Sequence, residues 1–205
     1  MTRRLSLDEA VAHLRAGELV GLPTDTVYGV GAILSPPGDP QRLFALKRRP
    51  AQVALPVLGA SLEQFAGLGI ELGEDARRLA SAFWPGALTV VVRAPSALAR
   101  ALGARESSVG LRIPDDDTAR QLLAATGPLA VSSANLHGQA PCQSAEDIER
   151  VFGADEALAG VLDDGPRRGT PSTVISVLER PWRVLREGAV SRRALAALAG
   201  DAGLG

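Results

Sequence analysis

The chain has 205 residues, of which 46% are hydrophobic and 22% charged, with a formal net charge of -1. That length supports one sizeable core, and the near-neutral balance excludes the global basicity of a non-specific nucleic-acid coat. "MTRRLSLDEAVAHL" interrupts its apolar pattern at Asp8, Glu9 and His13, and no run of about 18 apolar residues occurs, so neither a signal peptide nor a membrane span is expected. The expectation is a soluble, cytoplasmic protein. Cys142 is the single cysteine, which excludes an internal disulfide, and with only His13 and His137 beside it no structural metal is indicated.

In chain order, Ser6 and Glu9 form a capping box, and Leu7, Ala10, Val11 and Leu14 make an i, i+3, i+4, i+7 stripe that Gly17 closes, which predicts a first helix. "ELVGLP" reads as a strand leading into a polar, glycine-bearing turn over 24–31. Asp39 before Pro40 starts a second helix at the N1 proline position. Pro50 pushes Arg49 out of helical geometry, so this helix ends near Lys47 or Arg48. Strands follow at 54–58, 88–93, 109–113, 129–132, 173–178 and 182–186, and helices at 74–82, 116–125, 145–152 and 192–199, the third of these capped by Ser144 with Asp147. The alternation predicts a single layered α/β or α+β domain over residues 1–205, with helices on a largely buried sheet.

The rare residues fall where the pattern is least like core. Lys47 is the only lysine among 22 Lys and Arg residues, Asn135 the only asparagine and Tyr28 the only tyrosine; they lie in "KRRP", "SSANLHG" and "PTDTVYGVGA". In α/β sheets ligands bind outside strand ends, where "TDTVYGVG", "SSANLHG" and "DDGPRRGTPST" are placed. Thr24, Thr26, Ser132, Ser133, Asn135, Ser172 and Thr173 supply short donors and acceptors; Lys47, Arg48, Arg49, Arg93, Arg112, Arg167, Arg168 and Arg186 supply charge for polyphosphate. Neither a Walker loop nor a GxGxxG fingerprint occurs, no GxSxG elbow is present, and Cys142 after Pro141 is a poor nucleophile, so covalent catalysis is not expected. From the residues alone, bland readings stay open: Lys47, Arg48 and Arg49 as complements of a helix dipole, Asn135 as an Asx turn, and "DDGPRRG" as a solvated turn.

Taken together, "LPTDTVYGVGA", "LFALKRRPAQVALPVL", "FWPGALTVVV", "VGLRIPD", "LAVSSANLHGQAP", "DDGPRRGTPSTVISV" and "RVLREGAV" resemble, in order and spacing, the YrdC-like family of threonylcarbamoyl-AMP synthases, across residues 5–190. The resemblance implies a three-layer domain with a twisted mixed β-sheet and flanking helices around a concave basic cavity. It implies a reaction of L-threonine, bicarbonate and ATP that yields threonylcarbamoyl-AMP and pyrophosphate, with Mg2+, for the threonylcarbamoyladenosine modification of tRNA. The partners implied are proteins that accept the adenylate, and tRNA or double-stranded RNA. Carried over by motif, Lys47, Arg49, Thr89, Ser133, Asn135 and Arg186 are expected to contact ATP, and Thr26, Ser172 and Arg112 threonine; Tyr28 shapes the pocket wall. Asn135→Ala is then expected to weaken ATP binding while costing no more than about 1 kcal/mol of stability.

The chain departs from relatives at Val53, Leu58, Pro171 and Ser176, and it resembles the short members without a further C-terminal domain. Two other readings are carried beside the synthase. One is a paralogue with altered carbamoyl-adenylate chemistry, the other a non-enzymatic module that grips double-stranded RNA or tRNA.

Overall fold

The computed structural model describes residues 3–48 and 54–205. Among the described residues ten strands form one mixed sheet: β1 (Arg4–Leu5), β2 (Leu19–Leu22), β3 (Gly29–Ile33), β4 (Val57–Leu58), β5 (Leu88–Arg93), β6 (Ser108–Arg112), β7 (Leu129–Ser133), β8 (Leu158–Leu162), β9 (Thr173–Ser176) and β10 (Arg183–Arg186). Their order is β1-β8-β2-β3-β7-β4-β6-β5-β9-β10. Helices α1 (Leu7–Arg15), α2 (Gln41–Leu46), α3 (Leu62–Gly67), α4 (Glu74–Phe83), α5 (Ser96–Ala101), α6 (Asp117–Thr126), α7 (Ala145–Phe152) and α8 (Arg192–Ala199) connect and cover the strands.

The helix starts follow from local chemistry. Ser6 caps α1 through its side chain with Glu9 returning the bond, and the hydroxyl of Ser144 accepts from the Asp147 amide at the start of α7. Pro40 occupies the N-cap of α2 rather than N1, and Asp39 Oδ1 accepts from the Gln41 amide at 2.8 Å. Helix α2 stops with Lys47 as C-cap and Arg48 at φ 49, so a left-handed residue ends it before Pro50 is reached.

Side-chain alternation along the strands splits the core into two layers. Val30 and Ala32 of β3, Val57 of β4, and Val90 and Val92 of β5 pack on the face covered by α2, α4, α7 and α8. Val20 and Leu22 of β2, Leu58 of β4, and Leu129 and Val131 of β7 face the other way, against Ala10 and Leu14 of α1 and Leu122 and Leu123 of α6. Helices α1 and α6 cover the half of that face nearest β2 and β7. Over β4, β6, β5, β9 and β10 the same face carries Leu58, Arg112, Gly110, Thr89, Val174 and Arg186, and there it floors a cavity. The helix-sheet-helix layering expected from the sequence is therefore present, and the concavity arises where the second helical layer stops.

Several elements differ from the sequence reading. Residues 29–31, read as turn, begin β3, which pairs with β2 and β7. Strand β8 was not anticipated: "LAGVL" lies between β1 and β2 in parallel pairing, buried on both faces, and so lacks an alternating pattern. The short α3 and α5 lack the length for a clear helical period. Strand β4 occupies Val57–Leu58 of the expected 54–58.

Candidate functional site

The cavity encloses about 500 Å³, within the range of small-ligand sites. It is lined by Thr24, Thr26 and Tyr28 from the β2–β3 connection, Thr89 of β5, Arg112 of β6, Ser132 and Ser133 of β7, and Ser172 and Arg186 beside β9 and β10. Of the residues expected at the site, Thr26, Thr89, Arg112, Ser133, Ser172 and Arg186 line it together. Lys47 and Asn135 are buried next to Ser133 without lining it, and Arg49 and Val53 lie outside the described residues.

The turn 24–28 is organised by Thr24. Its hydroxyl donates to Val27 O at 2.6 Å and accepts from the amides of Thr26 and Val27, both at 3.3 Å. With that proton committed, the 3.0 Å contact between the two threonine hydroxyls has Thr26 as donor. Thr26 Oγ1 also accepts from Arg112 Nη1 at 3.2 Å, which leaves it one lone pair for a ligand donor such as an ammonium or amide N–H. Gly169 closes over this turn: its amide donates to Thr26 O at 2.9 Å, and a Cβ there would lie 2.6 Å from the same oxygen.

The wall formed by Thr89, Ser172 and Arg186 has donors to spare. Thr89 Oγ1 and Ser172 Oγ lie 3.0 Å apart, and Arg186 Nη2 donates to Ser172 Oγ at 3.1 Å. If Thr89 donates to Ser172, the Ser172 proton is left for a ligand; if Ser172 donates, the Thr89 proton is left. Either way one hydroxyl donor remains for an anionic oxygen. Arg186 also donates to Ser172 O from Nε (3.2 Å) and Nη2 (2.8 Å), and among the described residues no carboxylate pairs with it. Burial lowers its pKa below the ordinary arginine value, and an incoming anion would relieve that cost.

Burial also lowers the Arg112 pKa, and Asp25 offsets part of the effect. Its Nη2 lies 2.5 Å from Asp25 Oδ1, and its Nε donates to Gly86 O at 3.0 Å. Asp25 was not singled out in the sequence; its place within "PTDTVYG" was the available signal.

Lys47 is 1% exposed. Its ammonium donates to Ser133 O, to Asn135 O at 2.5 Å and to Asn135 Oδ1 at 3.3 Å. Asn135 Oδ1 also accepts from Ser133 Oγ at 2.6 Å, while Nδ2 donates to Leu136 O (2.8 Å) and Gln139 O (3.0 Å). The amide thus organises the loop after β7, though not as an Asx turn, since the His137 amide donates to Lys47 O rather than to Asn135 Oδ1, and lysine holds that loop against the end of α2.

Tyr28, fully buried, donates from its hydroxyl to Gly165 O at 2.8 Å and receives the Asp164 amide at 3.3 Å; burial pushes its pKa up to about 12. Arg167 binds Asp116 Oδ2 through Nε and Nη2 (3.1 and 2.9 Å) and Asp164 Oδ2 through Nη2 (2.6 Å), so its charge is spent on its own loop and on the N-cap of α6. "DDGPRRG" is therefore a largely exposed turn, as the bland reading has it, that also clasps the Tyr28 hydroxyl. Arg105 and Glu106, on the rim before β6, line the cavity and were missed because they sit in an exposed loop with no motif character. Burial raises the Cys142 thiol to about 11, which removes it as a nucleophile at neutral pH.

A family model for Sua5, YciO and YrdC proteins, described as telomere recombination, matches residues 12–188. The chain is 41% identical to a Mycobacterium leprae protein over 201 residues, 97% of this chain and 90% of that one. It is 35% identical to the threonylcarbamoyl-AMP synthase of Bacillus subtilis over 94% of this chain, but spans 56% of that protein's length. Among solved structures, Pyrococcus abyssi Sua5 complexed with L-threonine superposes with a TM-score of 0.87 at 32% identity, over 99% of this chain and 61% of that one. Escherichia coli YciO shares the fold at 23% identity with a TM-score of 0.81, over 92% of both chains. The match of the family model over most of the chain, with relatives above 30% identity along nearly its whole length, makes this chain a member of the Sua5/YciO/YrdC family.

Proposed function

We propose that the protein is a threonylcarbamoyl-AMP synthase, joining L-threonine, bicarbonate and ATP into threonylcarbamoyl-AMP and pyrophosphate. The observation that carries the reading is the polarity of the cavity: an acceptor lone pair at Thr26, and surplus donors at Thr89, Ser172 and Arg186. Such a cavity orients a zwitterion beside a phosphate chain. The amine nitrogen bonds the carbon of bicarbonate, water leaves and a proton is released. A carbamate oxygen then attacks the α-phosphorus as the bond to the β-phosphate oxygen breaks. Both steps need positioning, charge stabilisation and exclusion of water rather than a protein nucleophile.

In this reading Thr26, Ser172 and Arg112 hold threonine, and Thr89, Ser133 and Arg186 receive ATP. Lys47 and Asn135 serve ATP by fixing the Ser133 loop, and Arg49 is assigned with them. Mg2+ is assigned as a companion of the ATP phosphates. The described residues include no helix long and apolar enough to cross a membrane. A cytoplasmic site of action, with tRNA-modifying proteins taking up the adenylate for tRNA, is the setting this chemistry implies.

The test is pyrophosphate release by the purified chain with each substrate omitted in turn. The reading requires release that depends on threonine and bicarbonate together. Threonine-independent turnover with carbamoyl phosphate would indicate the altered carbamoyl chemistry. Absence of turnover with steeply salt-dependent RNA affinity would indicate the RNA-binding module.

A further inference from the structure

Arg112 lines the cavity, yet it does not present a bare charge to it. Its side chain is 6% exposed, its Nη2 is 2.5 Å from the 15%-exposed carboxylate of Asp25, its Nη1 reaches Thr26 Oγ1 and its Nε reaches Gly86 O. Asp25 is not part of the cavity lining and meets the cavity through Arg112. The other charges felt at Arg112 are Arg186, which disfavours its protonation, and Asp116, which favours it but is itself bound by Arg167.

We propose that Asp25 is the specificity-determining residue of this cavity, reserving the Arg112 end for a zwitterionic amino acid and keeping phosphate out of it. The inference rests on the reading of the cavity as a site for threonine and ATP. A guanidinium has five N–H donors; three of Arg112's are committed, and one on each terminal nitrogen remains. With Asp25 alongside, those donors act from an ion pair of zero net charge. An amino acid, whose carboxylate carries one charge and whose ammonium lies beside it, still gains the directed hydrogen bonds. A phosphate chain with two or more charges is repelled by the Asp25 carboxylate and does better at a cation without one. Arg186 is such a cation, since Ser172 supplies its described partners. Without Asp25, two uncompensated guanidiniums close enough to feel each other's charge would face the same cavity, and phosphate binds guanidinium pairs strongly. Asp25 therefore acts through Arg112 as a positioning residue that sorts anions by charge.

Calorimetric titration of the full chain with L-threonine, and separately with inorganic tripolyphosphate, tests this without relying on turnover. Asp25→Asn is expected to weaken threonine at least tenfold, to strengthen tripolyphosphate at least fivefold, and to make the two compete where the wild-type chain binds both at once. Asp25→Glu restores most of both affinities. Arg112→Gln, which leaves a bare carboxylate, weakens tripolyphosphate, and the double variant Asp25→Asn/Arg112→Gln returns it to within twofold of wild type. Should Asp25→Asn fail to fold, the last comparison isolates the Asp25 charge in a background without the guanidinium. Unchanged affinities, or equal losses for both ligands, overturn the inference. Wild-type protein that binds tripolyphosphate but not threonine sinks the proposed function and the inference with it; wild-type binding of both ligands, with none of these changes in the variants, sinks the inference alone.

Discussion

The ammonium of Lys47 donates twice to Asn135, at the backbone oxygen and at Oδ1, across 88 positions of sequence. A third oxygen, that of Ser133, shares the same nitrogen. Three donors on a compact head meet three acceptors in a site 1% exposed, and a planar guanidinium does not fit that arrangement. Lys47→Arg and Lys47→Met are both expected to destabilise by about 3 kcal/mol, since buried oxygens lose their partner. Urea unfolding measures this directly. Unchanged stability in Lys47→Arg together with lost ATP binding would instead make Lys47 a ligand contact with no part in the fold.

The same network revises the expectation for Asn135→Ala. Its amide makes bonds to Leu136 O and Gln139 O, and its Oδ1 accepts from Ser133 and Lys47. The expected loss rises from at most 1 to about 2–3 kcal/mol, because the alanine variant strands buried partners. Thermal unfolding of the variant with and without ATP separates the two contributions: a loop role lowers the midpoint in both conditions.

Arg186 lines the cavity with no carboxylate partner among the described residues, and burial of its charge lowers its pKa, so its removal relieves a desolvation cost while deleting an anion contact. Arg186→Gln is expected to leave folding stability within about 1 kcal/mol and to reduce kcat/KM for ATP at least tenfold, equivalent to roughly 1.4 kcal/mol of transition-state binding. Steady-state kinetics with threonine saturating is the measurement. A variant with wild-type kcat/KM would remove Arg186 from the ATP set.

Gly188 tests the backbone that places Ser172. A Cβ at this position would lie 2.2 Å from Pro171 O and 2.7 Å from Ser172 O, both backbone atoms. Gly188→Ala must push the 171–172 segment away and is expected to cost about 2 kcal/mol or more while raising the KM for threonine. Kinetics and denaturation on the same preparation show whether the two losses travel together.

Arg48 is the one non-glycine residue with positive φ among the described residues. Arg48→Gly relieves the left-handed strain at the end of α2, offset by a looser unfolded chain, for an expected gain of about 0.5–1 kcal/mol in urea denaturation. A loss of stability would mean that the exposed guanidinium contributes more than its backbone costs.

Local chemistry set much of this molecule in advance. The capping box at Ser6, the side-chain cap at Ser144, the alternating runs that become β5, β6 and β7, and the polar junctions after β2 and β7 are decided by neighbours a few residues apart, so they were legible in the chain, although Asp147 returns its bond to the Gln143 amide rather than closing a second box. Strand β8 was not, because a strand buried on both faces loses its alternation. Which polar groups reach the cavity was also beyond the sequence. Arg112 and Asp25 are 87 positions apart, and they meet because β3, β7, β4 and β6 are consecutive in the sheet. Lys47 carries an ammonium by composition alone, but its direction was fixed by the loop after β7 folding back onto the end of α2. The sequence alone determined the kinds of donor and charge available and the elements that carry them. The tertiary structure decided which charges are spent on each other and which are left for a ligand, because burial and pairing depend on residues that only the sheet order brings together.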